Sequence, residues 1–182
     1  MRIAIISDVH ANLPALEAVL AHAQKKGCSE FWNLGDNVGY GPFPEQTVQR
    51  LQDLPGESIL GNYDRKVLAF PDKKGRWKKS KHSQKYLAFG WAYRKLSKSS
   101  RKYLAALASE VEVEIKGQRF LLTHGSPFSD EEPILPSTPP RRLREIGKQS
   151  AAPVILCGHT HIPFVFEMEK WSFINPGSVG RP

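Results

Sequence analysis

Two histidines stand two residues apart near the end of the chain, directly after an apolar run. The run Val154-Ile155-Leu156 leads into Cys157-Gly158-His159-Thr160-His161. In extended geometry, residues two apart project to the same side of the backbone, so both imidazoles could face one point. A strand that ends in a Gly-His-x-His turn is typical of a metal platform, provided that ligands from other strand ends reach the same place.

Other side chains that can bind metal follow the remaining predicted strands. The candidate ligands are Asp8, His10, Asp36, Asn62, His124, His159 and His161. Loops at the carboxyl ends of strands in an α/β sheet converge on one crevice, so we expect these side chains to lie together. Each residue alone has an ordinary structural explanation, such as a helix cap, a turn or a buried histidine. Seven such positions at strand ends favour one common site.

The size and chemistry of this ligand set suit two metal ions. Seven protein ligands with one shared carboxylate fill two incomplete coordination shells and leave room for water and substrate. Mixed imidazole and carboxylate ligation favours Mn, Fe, Zn, Co or Ni over Mg or Ca, and we expect Mn²⁺. Two such ions activate a bridging water and hold the oxygens of an in-line phosphoryl displacement. No Ser-His-Asp pattern, Walker loop or GxGxxG motif competes in the sequence.

Short strands and helices alternate in the first third of the chain. Strands are predicted over 2–7, 30–34 and 57–60, and helices over 12–26 and 44–54. This βαβαβ order predicts a parallel sheet with right-handed crossovers.

The last third of the chain predicts a second group of strands. Alternating Val and Glu residues over 110–115 indicate a half-exposed strand that forms a hairpin with 119–123. A strand over 154–157 and a hairpin of 163–168 with 171–174 follow a short helix over 141–148.

The net charge of +8 is concentrated in one segment. Positions 65 to 102 hold 14 Lys or Arg and one acid, Asp72, whereas the rest of the chain holds 12 basic and 17 acidic residues. Residues 65–108 are predicted to be helical, interrupted at Pro71 and Gly75. The predicted inward faces are Tyr86, Leu87, Trp91, Tyr103, Leu104 and Leu107. Two interpretations of the charge stay open: a patch that attracts nucleic acid or nucleotides, or a solvated helical face.

The overall composition predicts one domain. The chain has 182 residues, of which 40% are hydrophobic, and no apolar run approaches the roughly 18 residues of a membrane helix. The N-terminus turns acidic at Asp8, too soon for a signal peptide. Two cysteines, Cys28 and Cys157, do not make a disulfide framework. We therefore expect a cytoplasmic protein without membrane contact, and the sequence contains no signal for its oligomeric state.

Five blocks of the sequence resemble the calcineurin-like metallophosphoesterases in order and spacing, from Met1 to Ser178. The blocks are Asp8-x-His10, Gly35-Asp36, Gly61-Asn62-x-Asp64, His124-Gly125 and Gly158-His159-Thr160-His161. The stretches over 35–42 and 175–178 further resemble the small bacterial YfcE-like phosphodiesterase branch.

The resemblance implies a single metallophosphoesterase domain over 1–182, built as a four-layer αββα sandwich of two mixed sheets flanked by helices. It implies one metal held by Asp8, His10, Asp36 and His161. It implies a second metal held by Asp36, Asn62, His124 and His159, with Asp36 bridging. It also implies that Asp64 orients a neighbouring side chain, and that a metal-bridging hydroxide attacks a phosphate ester, most consistently a phosphodiester.

The sequence departs from the family pattern at two places. Most members have histidine where this chain has Tyr63, and that histidine stabilises the phosphate and protonates the leaving group. Tyrosine, with an ordinary pKa of about 10, can donate a hydrogen bond but transfers protons poorly near neutral pH. Asn62, Tyr63 and Asp64 are thus the candidate catalytic residues, and esters with good leaving groups are the expected best substrates. The chain also stops at Pro182, where related sequences often continue, so it is either truncated or naturally short.

The alternative function is a catalytically silent protein-binding scaffold. Vps29-like retromer subunits resemble this family, bind partners and also lack the histidine equivalent to Tyr63. All seven predicted metal ligands are present in this chain, and a scaffold has no chemical need for them. The phosphoesterase is therefore the preferred hypothesis.

Overall fold

Seven strands and seven helices are present in residues 1–181, the part of the chain that this computed structural model describes. Their bounds are β1 Ile3–Ile6, α1 Leu13–Lys25, β2 Glu30–Asn33, α2 Pro44–Gln52, α3 Asn62–Leu68, α4 Phe70–Ser80, α5 Ser83–Lys95, α6 Lys98–Ala106, β3 Glu110–Ile115, β4 Gln118–Thr123, α7 Pro140–Gln149, β5 Val154–Leu156, β6 Phe164–Met168 and β7 Trp171–Asn175. None of the helices within these residues has the length and apolarity that a membrane crossing requires.

The first sheet consists of the parallel pair β1 and β2. The amides of Phe31 and Asn33 extend it by donating to the carbonyls of Pro55 and Glu57, at 2.9 and 2.8 Å. The predicted third strand over 57–60 is present only as a single parallel bridge between Asn33 and Ser58. The prediction of a full strand was wrong because the chain pairs with β2 only briefly before Leu60 bonds to Ala108 instead.

The second sheet has five strands in the order β3-β4-β5-β7-β6. Its central strands β4, β5 and β7 run parallel, and an antiparallel hairpin closes each edge. Lys116 and Gly117 connect β3 to β4 with φ values of 51° and 78°, as two-residue hairpin turns require. This sheet is mixed, as expected, whereas the described first sheet is purely parallel.

The two sheets pack face to face through an apolar layer. Its fully buried members are Trp32, Leu34, Ile59, Leu122 and Leu156. On the outer face of the first sheet, α1 and α2 bury leucines against β1 and β2. On the outer face of the second sheet, α7 buries two apolar side chains against β5 and β7. The expected four-layer αββα sandwich is confirmed, and burial of each such side chain stabilises it by roughly 1.5–3 kcal/mol.

The basic segment forms the four helices α3 to α6, which have an apolar core of their own. Val67, Phe70, Trp77, Phe89 and Leu104 are buried in that core. Pro71 lies in the first turn of α4, where proline is tolerated. The predicted interruption at Gly75 was wrong, because α4 continues through this residue to Ser80.

Two of the predicted inward positions of the basic segment face outward. Leu87 is 62% exposed and Trp91 is 43% exposed, whereas Phe89 and Ala92 are buried. The phase of α5 is set by Gly90, because a side chain there would place its Cβ 2.7 Å from the Phe70 ring. Of the other four predicted positions, Leu104 is buried, and Tyr86, Tyr103 and Leu107 are half-buried against the helical core.

Candidate metal centre

The loops that follow β1 and β2 are joined by backbone hydrogen bonds close to the predicted ligands. The amide of Asp8 donates to the Gly35 carbonyl at 3.0 Å, and the amide of His10 donates to the Asp36 carbonyl at 2.8 Å. The loops after β4 and β5 meet in the same way, because Gly158 donates to the carbonyl of His124 at 2.9 Å. The expected convergence of the strand ends is therefore observed.

The backbone of this region is strained at the ligand positions. Five of the seven predicted ligands have left-handed φ values: Asp8 54°, His10 49°, Asp36 55°, His159 66° and His161 62°. Such a conformation costs of order 1–3 kcal/mol for each non-glycine residue and persists only where the surroundings enforce it. Strain of this kind concentrates at functional sites, so its location supports a functional role for the cluster.

Glycine permits two of the close loop approaches. A Cβ at Gly61 would collide with the amide of Asp36, and a Cβ at Gly158 would collide with the hydroxyl of Ser7. Gly61 thus lets α3 begin beside Asp36, which places Asn62 at the centre. Gly158 does the same for the two-histidine turn beside Asp8.

The first group of ligand atoms consists of one carboxylate oxygen and two imidazole nitrogens. Asp8 Oδ1 lies 3.1 Å from His161 Nε2 and 3.7 Å from His10 Nε2. The two Nε2 atoms are 3.1 Å apart. The other oxygen of Asp8 accepts hydrogen bonds from Ser7 Oγ and from the amide of His159, at 2.6 and 3.1 Å. Asp8 Oδ1 is thereby directed at the two histidines.

The second group is centred on Asp36 and His124, with Asp8 close enough to share it. Asp36 Oδ1 lies 3.4 Å from His124 Nε2, and Asp36 Oδ2 lies 3.8 Å from His10 Nε2. The two oxygens of Asp36 therefore face different groups. The ring of His159 lies 5.4 Å from the ring of His124, centroid to centroid, but His159 is not a member of either three-residue group.

Two histidines are held in the tautomer that a metal ligand needs. His124 Nδ1 donates to the Leu34 carbonyl at 2.7 Å, and His161 Nδ1 donates to the Arg181 carbonyl at 2.6 Å. Since a carbonyl only accepts, the proton of a neutral ring resides on Nδ1. The Nε2 lone pair then faces the carboxylates, and a carbonyl behind a metal-bound histidine commonly fixes its orientation in this way.

The residues present fit a pair of divalent cations. Three buried ligand atoms have no hydrogen-bond partner among the described residues: Asp8 Oδ1, Asn62 Oδ1 and His124 Nε2. Such atoms cost about 1–3 kcal/mol each when left unsatisfied, and a cation would satisfy all three. Burial lowers the pKa of His124, but the charge of Asp36 outweighs it and raises that pKa to about 9. The same negative field attracts a metal ion.

Asp64 is buried behind the centre and organises its supporting loops. Its carboxylate accepts from the Gly61 and Val38 amides, both at 3.0 Å, and from the Asn37 side chain at 2.8 Å. Burial and the charge of Asp36 raise its pKa to about 7. The carboxylate thereby joins the loop after β2 to the start of α3, where Asn62 lies.

Tyr63 reaches the centre with both its backbone and its side chain. Its amide donates to Asp36 Oδ1 at 2.7 Å. Its hydroxyl is hydrogen-bonded to the hydroxyl of Tyr40, and the edges of both rings contact the ring of His10, with centroids 5.3 and 5.0 Å from it. The guanidinium of Arg181 lies 4.1 Å from the centroid of the Tyr40 ring.

Sequence reasoning missed Tyr40 and Arg181. The signal for Tyr40 was its position between Gly39 and Gly41, in the loop that follows Asp36. Arg181 gave no local signal, because its place depends on how residues 178–180 bind the loop after β1. In that contact Ser178 Oγ and the amide of Gly180 both donate to the Asp8 carbonyl at 3.0 Å.

A cleft of about 370 Å³ opens over the centre. Its lining combines ligand residues, the tyrosine pair and charged side chains: His10, Asp36, Tyr40, Asn62, Tyr63, Lys66, Lys85, Glu131, His159, Thr160, His161 and Arg181. Five of the seven predicted ligands therefore border the cleft, while Asp8 and His124 are completely buried beneath it.

The sequence matches the model of the calcineurin-like phosphoesterase superfamily domain over residues 1–182. A Methanocaldococcus jannaschii protein, the uncharacterized MJ0912, is 33% identical over 198 residues, which cover 99% of this chain and 76% of the relative. Phosphodiesterase YfcE of Escherichia coli is 26% identical over 192 residues, which cover 100% of this chain and 81% of YfcE.

Solved structures of this superfamily share the fold. A metallophosphoesterase from Sphaerobacter thermophilus is 29% identical with a TM-score of 0.79, covering 100% of this chain and 78% of that one. A zinc complex of Vps29 from Entamoeba histolytica is 17% identical with a TM-score of 0.55, covering 98% and 74%, a likeness that shows the fold alone. The predicted resemblance is confirmed: the chain belongs to the calcineurin-like phosphoesterase superfamily.

Proposed function

We propose that this protein is a phosphodiesterase that depends on two divalent metal ions, with Mn²⁺ as the metal. The observation that carries the proposal is the pair of ligand groups around Asp8 and Asp36, which lie beneath an open cleft. Two of their buried ligand atoms, Asp8 Oδ1 and His124 Nε2, have no hydrogen-bond partner within residues 1–181. The relationship to phosphodiesterase YfcE over the whole chain supports the same reaction class. The proposed location is the cytoplasm, where Cys28 and Cys157 would stay reduced.

The proposed ligand assignment is the one that the family resemblance implies, and the two ligand groups support it in part, with Asp8 as the residue common to both groups. Asp8, His10, Asp36 and His161 would hold one ion. Asp36, Asn62, His124 and His159 would hold the other, so Asp36 would serve both. When bound, such ions supply Lewis-acid stabilisation of a phosphoryl oxygen and lower the pKa of water.

The residues around the metals position and bind the ester. Tyr63 can donate its hydroxyl hydrogen to a phosphoryl oxygen while its oxygen accepts a hydrogen bond from the Tyr40 hydroxyl, since either hydroxyl can be the donor of the pair. Burial raises the pKa of Tyr63 above the ordinary tyrosine value, and the hydrogen bond to Tyr40 acts in the same direction. The hydroxyl therefore stays protonated near neutral pH and donates a hydrogen bond without acting as a proton shuttle. Esters whose leaving groups need no protonation are the expected best substrates.

The positive charge of the segment over 65–102 extends the proposal to the substrate class. Lys66, Lys85 and Arg181 border the cleft, and phosphate-bearing ligands are the natural partners of such a rim. We propose nucleotides or nucleic acid as the source of the ester.

The test is metal-dependent turnover of bis-p-nitrophenyl phosphate by the purified protein. We expect activity with Mn²⁺ and its loss, by at least about a hundredfold, in Asp36→Asn and His159→Ala. His22→Ala, which changes an exposed histidine of α1, is the matched control and should keep full activity. Equal activity in all three variants would place the chemistry elsewhere.

A Vps29-like scaffold is the competing outcome of this test. The substitution of the family histidine by Tyr63 is the feature that favours it. A scaffold would show no turnover with any divalent metal while remaining folded. The ligand groups around Asp8 and Asp36 favour the enzyme.

A further inference from the structure

Most cations of the basic segment have no counterion inside the protein. Arg65 and Lys66, both on α3, form ion pairs with Asp130 and Glu131 at 2.8 and 2.7 Å. The other 12 of the 14 basic residues between positions 65 and 102 form no ion pair with any residue in 1–181. Clustered like charges repel one another, so this arrangement is stabilised when an external anion binds.

Two of the lysines lie on the cleft that contains the metal centre. Lys66 from α3 and Lys85 from α5 line it together with Asp36 and Asn62. Burial and the charge of Lys66 lower the pKa of Lys81, and Lys85 adds to this effect against the opposing charge of Glu131. A packed aromatic surface supports Lys81, whose ammonium lies 4.8 Å from the Trp77 ring centroid. The cationic cluster is thus concentrated beside the reaction centre.

The tyrosine pair lies between this cluster and a cation from the other end of the chain. The Lys66 ammonium lies 5.3 Å from the centroid of the Tyr63 ring, and the Arg181 guanidinium lies 4.1 Å from that of Tyr40. Outside the ligand groups, Glu131 is the one described acid that lines the cleft, and its side chain is 58% exposed. Because the Glu131 end of the Lys66–Glu131 ion pair is exposed to water, the pair is weak, so an incoming phosphate can replace the carboxylate.

We propose that Lys66 and Lys85 form a second anion subsite, which binds the neighbouring phosphate of a nucleotide that carries a diphosphate. The proposal rests on the proposed function, because the first phosphate would occupy the metal centre. A cleft of about 370 Å³ has the size of a small-ligand pocket, which favours a nucleotide over a nucleic-acid polymer. Lysine ammonium groups bind phosphate as compact, rotatable point charges.

The test compares the binding of AMP and of α,β-methylene-ADP, a diphosphate analogue that resists cleavage. Calorimetric titrations would use the Mn²⁺-loaded parent, Lys85→Gln, Lys66→Gln and Lys98→Gln. Lys98 is an exposed lysine of α6 away from the cleft, so its variant controls for the loss of one charge. Turnover of bis-p-nitrophenyl phosphate, which has a single phosphate, is measured on the same samples.

We expect the parent and Lys98→Gln to bind the diphosphate at least about tenfold more tightly than AMP, the ratio that one charge-assisted contact supplies. In Lys85→Gln and Lys66→Gln, the preference for the diphosphate over AMP should fall below about threefold. Glu131→Gln should strengthen diphosphate binding, because it removes the competing carboxylate.

Equal binding of the two nucleotides by the parent would overturn the subsite, as would a preference that survives both lysine substitutions. Tight binding of a single-stranded oligonucleotide without diphosphate preference would also overturn it and assign the lysines to a polymer. Cleavage of bis-p-nitrophenyl phosphate without a preference for the diphosphate over AMP would refute the subsite but not the proposed function. If the protein binds the diphosphate more tightly than AMP through these lysines but does not turn over bis-p-nitrophenyl phosphate, the proposed function is refuted and the subsite is not.

Discussion

The hydroxyl groups of Tyr40 and Tyr63 are hydrogen-bonded to each other, and the rings of both tyrosines pack against His10 in T-shaped contacts. Tyr40 comes from the loop after β2 and Tyr63 from the start of α3, so the bond joins two elements that approach the candidate metal centre separately. The approach requires glycine at position 39, where φ is +129° and a Cβ would lie 2.7 Å from Tyr63 Cδ1. The two tyrosines therefore form one unit at the rim of the candidate metal centre.

The first prediction concerns this unit. Tyr40→Phe should lower kcat on bis-p-nitrophenyl phosphate by about threefold to tenfold, because Tyr63 loses the hydrogen bond that orients its hydroxyl. Tyr63→Phe should have a similar effect, and the double variant should be little worse than either single variant. A coupling of at least about 0.5 kcal/mol in this double-mutant cycle is the expected result. Strictly additive effects would show that the two hydroxyls act independently.

The second prediction concerns proton transfer to the leaving group. Tyr63→His should raise activity on alkyl phosphodiesters by about tenfold or more, because an imidazole can protonate a poor leaving group near neutral pH. Activity on bis-p-nitrophenyl phosphate should change much less, since p-nitrophenolate leaves without a proton. The measurement is the ratio of the rate on alkyl phosphodiesters to the rate on bis-p-nitrophenyl phosphate, determined for Tyr63→His and for the parent. An unchanged ratio would mean that a general acid is not the missing element.

The positions of the ligands could be predicted from sequence because they depend on a simple regularity. Parallel strands end at the same edge of a sheet, so Asp8 and Asp36 had to be neighbours once β1 and β2 were identified. The assignment of individual ligands to the two ions, and of Asn62, Tyr63 and Asp64 to the chemistry, stays a prediction. The segment over 57–60 pairs with β2, as predicted, but the pairing is a single bridge and is too short to form a strand.

Features set by distant packing could not be predicted. Arg181 stacks on Tyr40 because residues 178–180 bind the loop after β1, and no local pattern encodes that contact. The orientation of α5 depends on the fit of Phe70 against Gly90, so the apolar residues Leu87 and Trp91 were assigned to the wrong face. In a helix rich in aromatic residues, the periodicity allows more than one buried face.

The third prediction concerns metal binding and stability. Mn²⁺ at about 100 times its dissociation constant stabilises the folded state by about 2.7 kcal/mol per site, which corresponds to a rise in Tm of about 5–10 °C for a chain of this size. Asp36→Asn should lose most of that rise, whereas Asp72→Asn, in an exposed acid of α4, should keep it. Differential scanning fluorimetry with and without metal measures both. A rise that is equal in the two variants would remove Asp36 from the metal site.

The fourth prediction concerns pH. Hydrogen bonds from Arg142 lower the pKa of Glu132, and a hydrogen bond from Ser126 adds to this effect against the opposing effect of burial. Because the folded pKa lies below the unfolded value of 4.5, the carboxylate stabilises the fold above that pH, and the stabilisation is lost as the pH falls through the folded pKa. Glu132→Gln should therefore reduce Tm at neutral pH, and the difference from the parent should shrink in acid.

Thermal unfolding of both proteins across this pH range checks the prediction. Glu167→Gln, in an exposed acid of β6, serves as the control and should follow the parent at every pH. A difference between Glu132→Gln and the parent that stays constant down to strongly acidic pH would contradict the sign. It would also remove the Glu132–Arg142 ion pair as the link between α7 and the loop that carries Glu131.

The most direct measurement is a titration of the metal-free parent with Mn²⁺, in which bound metal and turnover of bis-p-nitrophenyl phosphate are followed in the same samples. We expect two ions per chain at saturation and a rate that rises mainly with the second ion, because the proposed centre needs both ligand groups occupied. Two bound ions without turnover, or full turnover with one ion per chain, would contradict a phosphodiesterase that works through a two-metal centre.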